Sequence, residues 1–170
     1  MKTDRIRNRK ENDMGMRYSH TNLNARDWKK LRDFYVDVFE GKVVPPERDL
    51  GGPWFEKASG MKGARVRGCH VALPGYEEGG PVLEIFSHDI QEGEPGAFNH
   101  TGFGHLGILV DDVKKTYESL LAHGGSSDGQ IVSHYYENKG QTLTMIYAKD
   151  PEGNLIEIMR WDDGKLPECE

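Results

Sequence analysis

Two glutamates sit in the middle of apolar, strand-like runs, and their surroundings repeat. Val82-Leu83-Glu84-Ile85-Phe86 has Gly80 four residues before the acid, and Leu155-Ile156-Glu157-Ile158-Met159 has Gly153 four before. Each run is preceded by a segment that opens on a histidine: His20 in Ser19-His20-Thr21-Asn22-Leu23, and His105 in Gly104-His105-Leu106-Gly107-Ile108. A few residues on, the two halves again correspond, as Asp27-Trp28-Lys29-Lys30 and Asp112-Val113-Lys114-Lys115. A duplicated unit that carries one imidazole and one carboxylate per copy can assemble a four-ligand metal site from His20, Glu84, His105 and Glu157. Those donors suit a divalent ion such as Zn, Ni, Fe(II), Mn or Co.

Strand geometry sharpens the point. Successive strand residues face opposite ways, so Val82, Glu84, Phe86 and His88 share one face and Leu83 and Ile85 the other. Both faces are largely apolar, as expected for a curved sheet covered by a helix outside and lining a cavity inside. An ionised carboxylate in that setting must be paired, open to a water-filled cleft, or bound to a metal. For either acid alone the alternative is a solvated concave surface without chemistry. Equivalent placement of both acids and both histidines favours the site.

The elements that must position these residues follow from periodicity. Trp28, Leu31, Phe34, Tyr35, Val38 and Phe39 form the apolar face of a helix stopped by Gly41. Val113, Tyr117, Leu120 and Leu121 do so for a second helix, stopped by Gly124-Gly125. Strand-type runs lie near 17–23, 64–74 and 80–88, then 103–110, 129–136, 141–148 and 153–161, with a further strand somewhere in 42–57. Each half reads strand, helix, three strands, an α+β arrangement. The implied organisation is a charged tail over 1–16, a first module over 17–92, a linker over 93–102, a second module over 103–162 and a tail over 163–170. Pro45-Pro46 and Gly51-Gly52-Pro53 lengthen the first module relative to the second.

The bulk composition fits an enzyme-sized body. The 170 residues can bury ~70% of the unfolded surface. Charged residues make up 29% and the apolar runs are too short to span a bilayer, so no membrane partner is expected. The net charge is −6, and residues 1–16 hold five basic side chains against three acids, which leaves an acidic body unsuited to nucleic acid. The tail lacks the apolar stretch of a secretory signal. Cys69 and Cys169 give no disulfide framework, which points to a reducing, cytoplasmic setting.

Three stretches together carry a family resemblance: His20-Thr21 followed by Asp33-Phe34-Tyr35, Gly104-His105-Leu106 through Val110-Asp111-Asp112-Val113, and Asp150-Pro151-Glu152-Gly153-Asn154 through Glu157. The chain resembles the vicinal oxygen chelate superfamily from Arg17 to Asp162. That superfamily includes glyoxalase I, methylmalonyl-CoA epimerase, extradiol dioxygenases, and fosfomycin and bleomycin resistance proteins. The resemblance implies two βαβββ modules forming an open, cup-shaped mixed sheet with helices outside. It also implies one divalent metal held by His20, Glu84, His105 and Glu157, a small-molecule substrate, and a homodimer.

Four ligands, two of them carboxylates, point to the lyase and isomerase branch. There a carboxylate, Glu84 or Glu157, moves a proton at the carbon next to a carbonyl. An Fe(II) extradiol-type dioxygenase and a sequestering protein without turnover are the alternatives. Glyoxalase I typically has an arginine four residues after the first histidine and an asparagine four after the first glutamate, both serving glutathione. Here those positions are Asn24 and His88. Without that cation a glutathione carboxylate lacks its clamp, which argues against glutathione as co-substrate.

Substrate contacts are then expected from His88, His70 and Asn24, with a surface role for His88 and a core role for His70 as the bland alternatives. His100 lies near the linker, His123 at a helix end where a cation suits the dipole, and His134 faces either way. Cys69 adjoins His70, but consecutive strand residues point apart, which argues against a Cys/His dyad.

Overall fold

A computed structural model describes residues 17–166. The expected tail over 1–16 and Cys169 lie outside them. Twelve elements follow in chain order: β1 (His20–Asn24), α1 (Trp28–Phe39), β2 (Lys42–Gly51), α2 (Pro53–Ser59), β3 (Arg65–Ala72), β4 (Val82–His88), β5 (Leu106–Leu109), α3 (Val113–Ala122), β6 (Ser126–Ser127), β7 (Val132–Tyr136), β8 (Gln141–Lys149) and β9 (Leu155–Asp163). They build two mixed sheets, β1-β4-β3-β2 and β5-β9-β8-β6, with β7 also paired to β8. The α+β class and the duplicated order of strand, helix and strands are therefore present. No helix among the described residues is long and apolar enough to cross a membrane.

The two halves use the same local chemistry. Asp27 caps α1, its Oδ1 accepting from the backbone N–H groups of Lys29 and Lys30 at 3.1 Å, and Asp112 caps α3 by accepting from that of Lys115 at 2.9 Å. In each module the first strand runs parallel to the last, β1 on β4 and β5 on β9. Leu83 and Ile85 of β4 are buried with Leu31, Phe34 and Tyr35 of α1, and Ile156 and Ile158 of β9 with Val113 and Leu120 of α3. The opposite faces of β4 and β9 are left for Glu84 and Glu157.

Two elements differ from the sequence reading. The Gly51-Gly52-Pro53 stretch starts a short helix, α2, because proline at a first helical turn needs no N–H partner. The expected strand over 129–136 appears as β7, and a two-residue strand that the sequence did not show, β6, precedes it; both pair with β8. In the first module the matching strand, β2, shifts register between Val44 and Arg48, where Pro45 and Pro46 have no N–H to give the ladder.

The modules meet through α1 and α3 and share one core. A buried hydrogen bond joins them: the Tyr35 hydroxyl donates to Asp150 Oδ2 at 3.1 Å. Asp150 also accepts, at 2.9 Å each, from the backbone N–H groups of Glu152 and Asn154 and from the Asn154 amide. Burial pushes the Asp150 carboxyl above its usual range, against the pull of these donors. Glu152 reaches back to the start of α1, accepting from the Asp27 backbone N–H at 3.1 Å and from Arg26 at 3.2 Å. The Asp150–Asn154 loop that leads into β9 is thus fastened to the first module.

Two substitutions test this frame. Tyr35→Phe keeps the ring and removes one bond to a buried carboxylate, so it should cost about 1–3 kcal/mol and lower the melting temperature by about 2–4 °C per kcal/mol, read by circular dichroism. At Gly68 a Cβ would lie 1.9 Å from the Ile85 carbonyl oxygen and 2.3 Å from the Phe86 ring. Gly68→Ala should destabilise by about 1–3 kcal/mol through overpacking, and unchanged urea midpoints would contradict the close β3–β4 approach.

Candidate metal centre

The parallel pairs place each histidine beside its glutamate. His20 is level with Val82, so Glu84 lies two residues further on the same face. His20 Nε2 is 3.3 Å from Glu84 Oε2, and His105 Nε2 is 3.0 Å from Glu157 Oε2. The glutamates are the more covered partners, with side chains 19% and 14% exposed against 43% and 34% for the histidines. Each module therefore presents one imidazole–carboxylate pair on its non-helical face. The donor chemistry fits a divalent cation, and each pair is open enough to be reached. Among the described residues no group of three or more His, Cys, Asp or Glu side chains is arranged to hold a metal ion.

The rows across the two sheets differ. In the first, Asn22, Glu84 and His70 lie level across β1, β4 and β3. His70 Nε2 is 3.0 Å from Glu84 Oε1, so both carboxylate oxygens have an imidazole partner. Burial, and then the positive charge of Arg48, lowers the His70 pKa and favours its neutral ring. In the second, Gly107, Glu157 and Tyr147 lie level across β5, β9 and β8. Tyr147 packs its ring 5.2 Å from that of His105 and 4.9 Å from that of Phe98. Burial and the Glu157 charge raise the Tyr147 pKa, so the phenol stays protonated.

His88 and Asn24 meet each other, with His88 Nε2 at 3.0 Å from Asn24 Oδ1. A cavity of about 270 Å³ shares Asn24 and is lined also by Asn22, Arg26, Glu92, Glu94 and Glu152. Arg26 is already engaged by Glu94 at 2.6 Å and Glu152 at 3.2 Å. Of the remaining histidines, His123 holds the Ser119 carbonyl at 2.8 Å at the end of α3, His100 the Ala97 carbonyl at 2.8 Å, and His134 packs edge-on to Tyr136. Cys69 is buried among core residues. The place of Tyr147 beside the second pair was not legible in the sequence, because its level with Glu157 depends on a register that periodicity does not set.

Comparison with known proteins agrees with this architecture. A curated lactoylglutathione lyase of Haemophilus influenzae is 26% identical over 147 residues, covering 85% of this chain and 92% of that protein. A probable lactoylglutathione lyase of Vibrio parahaemolyticus is 32% identical, covering 85% and 90%. Among solved structures, a glyoxalase family protein from Bacillus cereus superposes with a TM-score of 0.71 at 18% identity, covering 89% of this chain and 98% of that one. Residues 17–158 match the model of the glyoxalase/bleomycin resistance protein/dioxygenase superfamily. The chain belongs to that superfamily.

Proposed function

We propose that this protein is a metal-dependent lyase or isomerase that transfers a proton at the carbon next to a carbonyl, acting as a homodimer on a small molecule other than a glutathione adduct. The observation that carries this reading is the repeated imidazole–carboxylate pair, 3.3 Å apart in one module and 3.0 Å in the other. The lyase names of its relatives support the same reaction class. In this reading His20, Glu84, His105 and Glu157 hold one divalent ion, which when bound polarises the carbonyl oxygen and acidifies the adjacent C–H. Glu84 or Glu157 takes the proton and returns it to the neighbouring carbon. Tyr147 packs beside His105 of the second pair.

Several features support a site built from two copies. Within a chain the modules meet through their helices, and the two pairs are not gathered into one group. Among the described residues the strands that lead from the histidines, β1 and β5, each have one neighbouring strand, which leaves an edge for a second chain. Leu109, on the His105 face of β5, is 67% exposed, and Phe103 is 97% exposed. Charge argues against glutathione. Near Asn24 and His88 three carboxylates face one arginine that already pairs with two of them, so a peptide carboxylate would meet repulsion and no free cation.

Metal-loaded protein should turn over α-hydroxy carbonyls, hemithioacetals of other thiols, or thioesters, and lose activity on chelation. Glu84→Gln and Glu157→Gln should each lower kcat by roughly 10²–10⁴-fold, whereas full activity of metal-free protein would end this reading. Co-expressed and allowed to pair, the two inactive variants should recover roughly a quarter of wild-type activity if each site draws one module from each chain of a two-fold dimer. Sites confined to single chains would leave the mixture inactive.

A further inference from the structure

The two modules repeat their histidine and glutamate but not the residue level with the glutamate on the neighbouring antiparallel strand. That residue is His70 in the first module and Tyr147 in the second. His70 reaches Glu84 Oε1 at 3.0 Å, while His20 faces Oε2 at 3.3 Å. Each oxygen of Glu84 therefore has an imidazole nitrogen beside it. Among the described residues Glu157 has one ion-pair partner, His105, and Tyr147 turns its ring onto that histidine instead.

A carboxylate bound at one oxygen can turn about its last bond, whereas one held at both oxygens by groups on two different strands has its plane fixed. His70 is itself held, because its ring lies against Phe86, with centroids 6.2 Å apart, and Phe86 is buried over Gly68. The backbone of β3 and β4 thus sets the direction of Glu84 through His70.

We propose that His70 is a positioning residue that donates its Nε2–H to Glu84 Oε1 and fixes the orientation in which Glu84 offers its other oxygen to a divalent cation. Among the described residues the second module has no such lock. The assignment rests on the reading of Glu84 as a ligand, but the grip of His70 on Glu84 can be tested without metal.

Two measurements decide it. In metal-free protein, long-range ¹H–¹⁵N spectra of the imidazoles should show His70 as the Nε2–H tautomer, with its Nε2 signal shifted in Glu84→Gln. A Nδ1–H tautomer, or signals indifferent to Glu84→Gln, would overturn the proposal whatever the metal does. In metal-loaded protein, chelator competition should show His70→Leu weakening zinc affinity roughly 10–100-fold, the effect typical of losing a partner that orients a ligand. His70→Gln, whose amide reaches about as far as Nε2, should restore most of it. Equal affinity of His70→Leu and wild type would overturn the positioning role. A wild-type protein that binds no divalent metal would instead defeat the metal-site reading, leaving the spectra to judge the contact.

Discussion

A carboxylate carried on an otherwise apolar strand must find a partner, and the whole arrangement answers that constraint twice. Glu84 and Glu157 lie on strands whose other face is sealed against a helix by Leu83 and Ile85, and by Ile156 and Ile158. Their partners come from the first strand of each module, laid parallel to the last with the histidine two residues behind the level of the glutamate or just ahead of the strand. A parallel pair needs a crossover, and the helix that makes it also supplies the cover for the sealed face. Pairing the acid and burying the core are thus consequences of the same strand order.

The two modules are joined by chemistry that also fixes the second pair. Asp150 stands five residues before Leu155, the start of β9, and its carboxylate organises the loop through Asn154 while receiving the Tyr35 hydroxyl from α1. Such a buried acceptor tolerates little displacement, because every donor lost leaves a desolvated charge. The loop that aims β9, and with it Glu157, is therefore set against the first module and not only against its own sheet.

Much of this was legible in the sequence because it repeats. Duplication identifies His20 with His105 and Glu84 with Glu157 without any knowledge of register, and the aspartate caps of α1 and α3 fall at matching places for the same reason. The legible part ends where pairing across antiparallel strands begins. That His70 stands level with Glu84, and Tyr147 with Glu157, depends on the turns between β3 and β4 and between β8 and β9, which alternation alone does not count. The helix α2 was hidden for another reason: its seven residues are too few to show a period, and its Gly-Gly-Pro start reads equally as a loop.

The departures from symmetry carry the chemical information. Around Glu84 the sheet offers His20, His70, Asn22 and, further along, the Asn24–His88 pair, with Phe86 between them on the same face. Around Glu157 the same face holds Tyr147, Met145, Met159 and Leu109, placed together by their register. The first surface is thus richer in hydrogen-bonding groups and the second in apolar ones. Repetition accounts for the two matching imidazole–carboxylate pairs, and the residues level with each glutamate account for the difference between their surroundings.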